Sequence, residues 1–298
     1  MRNHITRRNF TALAGATLLS PRSFAQSGAA LITHAIPGSG EQIPAVGLGT
    51  AAVFNSDNDS TLRKAEAVVQ ALLASNGRLI DTASTYGDAE VVLGKVIASA
   101  NLRERIFIAT KLESPDAGEL KRSLTRLKTE KVDLLQLHNV RVPHQSLGAF
   151  REWKSQGLCR YIGITSTYRS DYPAVEAILK REKPDFVQID YSIDNREAET
   201  RILPLAAEAK AGVLTALPFG RGRLFRAVRG KQLPDWAQSF AGSWAQFFLK
   251  YLLADSRVTA VIPGTADAKH MTDNAGAMRG AVPDPDQRRR MVEFIDAL

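Results

Sequence analysis

The chain has 298 residues, 44% of them hydrophobic, with a formal net charge of +8; that is enough material for one large core, and no linker-like stretch divides it. Four arginines and no acid fall within the first 25 residues, so half of the net charge belongs there and the remainder is too mildly basic to point to nucleic acid. Cys159 is the only cysteine, which excludes an intramolecular disulfide and a multi-cysteine metal site and leaves a buried thiol as the default.

Residues 1–26 divide into a basic start, Met1 to Arg8, an apolar stretch from Phe10 to Leu19, and Ser23-Phe24-Ala25 before Gln26, a small-x-small cleavage pattern. This is the pattern of a signal peptide over residues 1–25. The apolar stretch is about half of the ~20 residues needed to cross a bilayer, so no stable membrane anchor is expected. Thr6-Arg7-Arg8-Asn9-Phe10 resembles the twin-arginine motif. That reading makes the twin-arginine translocase a partner during export and the periplasm the destination, with an ordinary secretory signal and a chance arginine pair as the alternative. Residues 26–298 then form the mature chain, expected to be monomeric.

The mature chain opens with a hairpin pattern, Leu31 to Ile36 and Gln42 to Val46, around the turn Pro37-Gly38-Ser39-Gly40. Eight strand candidates follow: Ala45–Thr50, Arg78–Thr82, Ile106–Lys111, Val132–His138, Tyr161–Thr165, Phe186–Tyr191, Val213–Leu217 and Thr259–Pro263. Most are short apolar runs without clean alternation, as strands covered on both faces should be. Helix-periodic stretches such as Thr61–Ser75, Glu90–Ala100, Glu119–Lys128 and Glu199–Lys210 separate them. Eight right-handed βαβ repeats predict a closed (β/α)8 TIM barrel, with the hairpin at its N-terminus and extra helices at its C-terminus. A doubly wound sheet would usually carry G-x-G-x-x-G after its first strand, and here Gly47-Leu48-Gly49-Thr50-Ala51-Ala52 lacks the third glycine. In the last helical pattern, Arg288 to Arg290 beside Asp284, Asp286 and Glu293 reads as a solvated face.

Active sites of such barrels lie at the carboxyl ends of the strands. Asp81, Lys111 and His138 end the second, third and fourth strand candidates, and Tyr86 lies in the loop after the second. Adjacent strands stand about 4.8 Å apart, so the four side chains can converge. Each alone has a structural reading: a helix cap for Asp81, a surface lysine, an interface ring for Tyr86, a satisfied core histidine. Together they make chemical sense. Hydride delivery to a carbonyl leaves an alkoxide that needs a proton, and a phenol with a pKa of about 10 is a weak acid near neutrality. An ammonium beside the ring lowers that pKa, a carboxylate keeps the ammonium charged and in place, and an imidazole can hydrogen-bond the substrate oxygen.

These residues lie in segments that resemble the aldo-keto reductase superfamily: Leu79-Ile80-Asp81-Thr82-Ala83-Ser84-Thr85-Tyr86-Gly87, then Glu90 and Leu93-Gly94, Ala109-Thr110-Lys111-Leu112, Asp133-Leu134-Leu135-Gln136-Leu137-His138, Gly163-Ile164-Thr165-Ser166 and Ile262-Pro263-Gly264. The resemblance runs from about Ile43 to Asn274 in family order and spacing. It implies that Asp81, Tyr86, Lys111 and His138 are the catalytic tetrad of a nicotinamide-dependent reductase acting on a small-molecule carbonyl. It also implies a cofactor across the barrel mouth. Gly49 and Thr50 would lie near the nicotinamide ribose, and Thr165, Ser166 and Gln188 would hold the carboxamide. Leu217, Phe219, Arg221 and Leu224 would follow the pyrophosphate, with Gly264, Thr265, His270, Asp273 and Asn274 around the adenosine end.

Three positions depart from the family pattern. Ala216 stands where many members stack an aromatic ring on the nicotinamide, Thr165-Ser166 replaces a frequent Ser-Asn pair, and His270 replaces an arginine that meets the 2′-phosphate. Neutral imidazole is a poorer anion partner than a guanidinium fork, so NADP(H) is the expected cofactor with NAD(H) left open. Phe54, Tyr168, Tyr172 and Trp236 are candidate substrate-pocket walls or ordinary packing. Two other functions fit a barrel with a strand-end lysine: a Schiff-base aldolase using Lys111, and a non-catalytic nucleotide-binding subunit.

Overall fold

The computed structural model describes residues 29–298; the signal-peptide reading lies outside the described residues. The first described elements are a short antiparallel hairpin, β1 (Thr33–Ala35) and β2 (Gln42–Pro44), turning at Gly40 with φ +75°. Its Ile36 and Ile43 are fully buried in one apolar cluster with Leu79, Phe107, Leu134, Phe186 and Leu214 from the strands. The hairpin thus plugs the bottom of the barrel. Tyr161 Oη holds it there, donating to Glu41 Oε2 at 2.7 Å, and Arg78 Nη2 donates to Glu41 Oε1 at 2.9 Å.

Eight parallel strands follow, each paired with its neighbour in chain order: β3 (Leu48–Gly49), β4 (Leu79–Asp81), β5 (Phe107–Leu112), β6 (Val132–Leu137), β7 (Cys159–Ser166), β8 (Phe186–Asp190), β9 (Gly212–Ala216) and β10 (Ala260–Val261). Parallel bridges Val46–Val261 and Gly49–Gly264 join the first to the last and close the barrel. At this seam a Cβ on residue 49 would stand 2.9 Å from the Ile262 carbonyl oxygen, so only glycine lets the strands meet.

Helices alternate with the strands: α1 (Asp59–Ala74), α2 (Ala89–Ser99), α3 (Ala117–Arg126), α4 (Gly148–Ser155), α5 (Tyr172–Glu182), α6 (Ala198–Glu208), α7 (Arg223–Ala227) and α8 (Trp244–Leu253), then α9 (Ala268–Gly276) and α10 (Pro285–Asp296) after β10. Local signals start them. Asn58 caps α1 by accepting from Thr61 N at 3.0 Å, and Asp284 with Gln287 forms a capping box on α10. A second, larger apolar cluster fills the layer between strands and helices.

The expected (β/α)8 barrel is therefore present, with small shifts at element ends. β7 starts at Cys159 rather than Tyr161 because Cys159 pairs with Val132, a partner that the exposed Arg160 hides from the sequence pattern. β5 runs one residue past Lys111, to Leu112 against Leu137. The thiol of Cys159 is buried, and burial pushes its pKa up to about 12. One expectation fails at the C-terminus: the Arg288–Arg290 run is not simply a solvated face. Arg288 donates to Glu199 Oε1 at 2.7 Å and lies 4.3 Å from the Tyr251 ring centroid, while Arg290 covers Trp236 at 4.6 Å. Only Arg289 pairs with surface acids of its own helix, Asp286 and Glu293.

Candidate active site

The carboxyl ends of the strands open into a cavity of about 550 Å³ that contains Asp81, Tyr86, Lys111 and His138 together. Strand register explains the convergence. Asp81 is the last residue of β4, Lys111 lies near the end of β5, and His138 follows β6, its N–H donating to the Leu112 carbonyl at 2.8 Å. The Tyr86 loop folds back over them, with Tyr86 N donating to the Ala83 carbonyl and Gly87 taking φ +56°, which a side chain would strain.

Lys111 and Asp81 are almost completely buried, and the ammonium donates to Asp81 Oδ2 at 2.6 Å and to the Thr82 carbonyl at 2.7 Å. It also lies 5.0 Å from the centroid of the Tyr86 ring. Burial opposes charge on Lys111, but Asp81 and Tyr86 outweigh it and hold its pKa above the ordinary lysine value. For Tyr86 the balance differs from the expectation of a lowered pKa. Burial raises the phenol above 10, and the Lys111 charge pulls it down without overcoming burial. The phenol therefore carries its proton. His138 meets the Tyr86 ring edge-on, with centroids 5.7 Å apart, and burial and the Lys111 charge lower its pKa below 6.5.

Of the residues expected around a cofactor, Gly49, Thr165, Gln188, Leu217, Phe219, Arg221 and Gly264 line the same cavity. The rest do not. Thr50 is buried with its hydroxyl unpartnered, and Leu224 is packed into the outer core. Ser166 Oγ donates to Asp171 Oδ2 at 2.9 Å, which turns it toward the start of α5. Thr265 precedes α9, and His270, Asp273 and Asn274 lie along that helix, all outside the cavity lining. There Asp267 caps the helix, His270 is exposed, and Asp273 Oδ1 accepts from Ser243 Oγ and Gln246 Nε2.

Among the four aromatic candidates only Tyr168 reaches the cavity. Phe54 and Tyr172 are fully buried, and Trp236 packs against Phe240 and Phe247. Ala216 does line the cavity, and the aromatic surface it lacks is supplied nearby by Phe219 and Phe225, whose centroids are 4.8 Å apart.

Several site residues escaped the sequence reading. Gln136 Nε2 donates to Gln188 Oε1 at 3.1 Å and reaches Asp81 Oδ1 at 3.4 Å; its signal was a polar residue set between leucines in the strand β6. Asn139 lines the cavity with φ +48° and an unpartnered Oδ1, and its place right after His138 was the available clue. Glu113 Oε1 meets His138 Nδ1. Nothing in the local sequence marked it.

Fold and cavity together define an α/β-barrel protein equipped for proton transfer at the carboxyl end of its strands. The chain belongs to the aldo/keto reductase family, whose model matches residues 45–296. It is 28% identical over 249 residues to the methylglyoxal reductase YeaE of Escherichia coli (strain K12), covering 79% of this chain and 86% of that protein. An aldo-keto reductase of Mycobacterium sp. (strain MCS) is 30% identical over 249 residues, covering 79% and 81%. Among solved structures, an aldo-keto reductase from Klebsiella pneumoniae in complex with NADPH matches with a TM-score of 0.75 and 23% identity, over 89% of this chain and 95% of that one. At that identity the likeness speaks for the fold.

Proposed function

We propose that this chain interconverts an aldehyde, ketone or sugar-like carbonyl and its alcohol, using NADP(H) as hydride carrier and Tyr86 as proton donor. The carrying observation is the Lys111 ammonium, held at 2.6 Å by the Asp81 carboxylate and facing the Tyr86 ring inside the cavity. The protonated phenol gives its proton to the carbonyl oxygen, and the adjacent ammonium stabilises the phenolate left behind. Asp81 keeps the lysine charged and in place, while His138 hydrogen-bonds the substrate oxygen.

The cavity lining suits a nicotinamide. Ala216, Leu217 and Ile262 offer apolar surface for a flat ring, and Gln188 and the unpartnered Oδ1 of Asn139 offer polar partners for its amide. Thr165 and Gln188 would hold the amide, and Phe219, Arg221 and Gly264 the more distant parts; when bound, the cofactor supplies hydride to the carbonyl carbon. The Klebsiella pneumoniae protein that shares this fold was solved with NADPH, which supports NADP(H) as the cofactor and leaves NAD(H) open. The Schiff-base reading is disfavoured because a nucleophilic amine must be neutral, and the Asp81 pair keeps Lys111 charged. Purified protein should consume NADPH with a generic small aldehyde, and faster than NADH. Absence of turnover with either cofactor, or a borohydride-trapped adduct on Lys111, would overturn the proposal.

For residues 1–25 the proposal is a twin-arginine-type signal, supported by the Arg7-Arg8 pair, the Phe10 to Leu19 apolar stretch and the Ser23-Phe24-Ala25 pattern. The barrel, 26–298, would then be exported already folded, carrying bound cofactor to the periplasm. Changing both arginines to lysine should retain the protein in the cytoplasm; unchanged periplasmic recovery speaks against the route.

A further inference from the structure

His138 is one-tenth exposed at its side chain, and its Nδ1 is engaged by Glu113 Oε1. Glu113 is itself fixed at three points on the loop that leaves β5. Its backbone N–H donates to Glu119 Oε1 of α3 at 2.9 Å, and its Oε1 accepts from Thr85 Oγ1 at 3.2 Å as well as meeting the histidine. Thr85 is the residue before Tyr86. One carboxylate therefore ties the loop that carries the phenol to the strand end that carries the imidazole.

An imidazole nitrogen that faces a carboxylate carries the ring proton, and the other nitrogen is left for a second partner. With Nδ1 taken, only Nε2 remains for a substrate. In the neutral ring that nitrogen is bare: it can accept from an alcohol hydroxyl but cannot donate to a carbonyl oxygen.

We infer that Glu113 is a positioning residue that pins the proton of His138 on Nδ1, so that His138 becomes a donor toward a carbonyl only when the ring takes a second proton. This rests on the reductase reading of the site and adds to it a protonation switch at His138 that Glu113 sets. The charged and titratable groups facing the ring are Lys111 from β5, Asp81 from β4 and Glu113, and Tyr86 from the loop after β4. Burial and the Lys111 charge hold its pKa below 6.5, and Glu113 and Asp81 oppose them without prevailing. The switch falls on the acid side of that value.

Two measurements test this on the full chain. Imidazole ¹⁵N spectra of the cofactor-free protein, with His138 identified by loss of its signals in His138→Gln, should show the Nδ1–H tautomer at pH 7.5. Glu113→Leu should move the proton mainly to Nε2. In pH profiles with a generic aldehyde and NADPH, kcat/KM of the wild type should fall about tenfold per pH unit above the switch, as a single ionisation requires. The variant should be flat over that range. Glu113→Ala, at a half-exposed position, repeats both measurements should leucine disturb the loop. A wild-type Nε2–H tautomer, or an unchanged pH step in the variants, would overturn the inference. A Glu113-dependent tautomer in a protein without turnover would sink the reductase reading alone, and turnover with a Glu113-independent tautomer would sink this inference alone.

Discussion

Gln188 Nε2 donates to Asp81 Oδ2 at 3.3 Å, joining two residues 107 positions apart in the chain. The same carboxylate receives Lys111 from β5 and Gln136 from β6, so the buried ion pair is held from three neighbouring directions. Breaking a buried pair by removing one partner costs about 3–5 kcal/mol, because the other charge is left uncompensated. Lys111→Met should lose about that much in urea denaturation at pH 7. The folded-state pKa of Lys111 is raised above its unfolded value of about 10.4, so its contribution is complete below that pH and lost as pH climbs through the folded value. The gap between wild type and variant should narrow above about pH 10.4. A constant gap from pH 7 to 11 would count against the pairing.

Tyr86→Phe removes the hydroxyl and leaves the ring. General acid catalysis contributes about 10²–10⁴-fold, and the rate of NADPH oxidation with an aldehyde should fall by that much. NADPH binding, followed by quenching of protein fluorescence, should remain within about twofold, since the phenolic proton serves chemistry rather than binding. Full activity in this variant refutes Tyr86 as the acid.

His270 is exposed on the first turns of α9, beside Lys269. If the 2′-phosphate of NADPH docks there, His270→Arg supplies a guanidinium in place of an imidazole, and an exposed ion pair is worth up to about 1 kcal/mol. NADPH affinity should rise about fivefold while NADH affinity stays level. Equal gains for both nucleotides would place the phosphate elsewhere.

Gly94 lies where α2 crosses the end of α3, and a Cβ there would stand 2.1 Å from the Arg126 carbonyl oxygen and 2.8 Å from the Leu127 carbonyl carbon. These are backbone atoms, so the helices must separate to admit a methyl group. Overpacking of this kind costs about 1–3 kcal/mol, more than alanine's helix propensity of about 1 kcal/mol returns. Gly94→Ala should lower the melting temperature, and a rise would show that the helices give way.

Much of this protein is legible along the chain. Apolar runs without alternation, set between helix-periodic stretches, already require strands covered on both faces, and the repeat of eight leads to a barrel closed by the Gly49 seam. Strand-end placement brought Asp81, Lys111 and His138 together, because neighbouring parallel strands carry their ends to the same rim. Gly94 could be picked out by its Leu93-Gly94 match, but the carbonyl it must avoid belongs to another helix.

What the tertiary structure alone decided is where each polar atom finds its partner. Periodicity reports which face of an element is buried, but a hydrogen bond depends on atoms brought close by distant parts of the chain. Ser166 is turned away by Asp171, Leu224 is drawn into the core, and Phe54 and Tyr172 are packed where pocket walls were conceivable. Burial, a property of the packed barrel, overcomes the lysine's pull on the Tyr86 phenol. The carboxylate of Glu113 meets the His138 imidazole only because two adjacent strands end side by side.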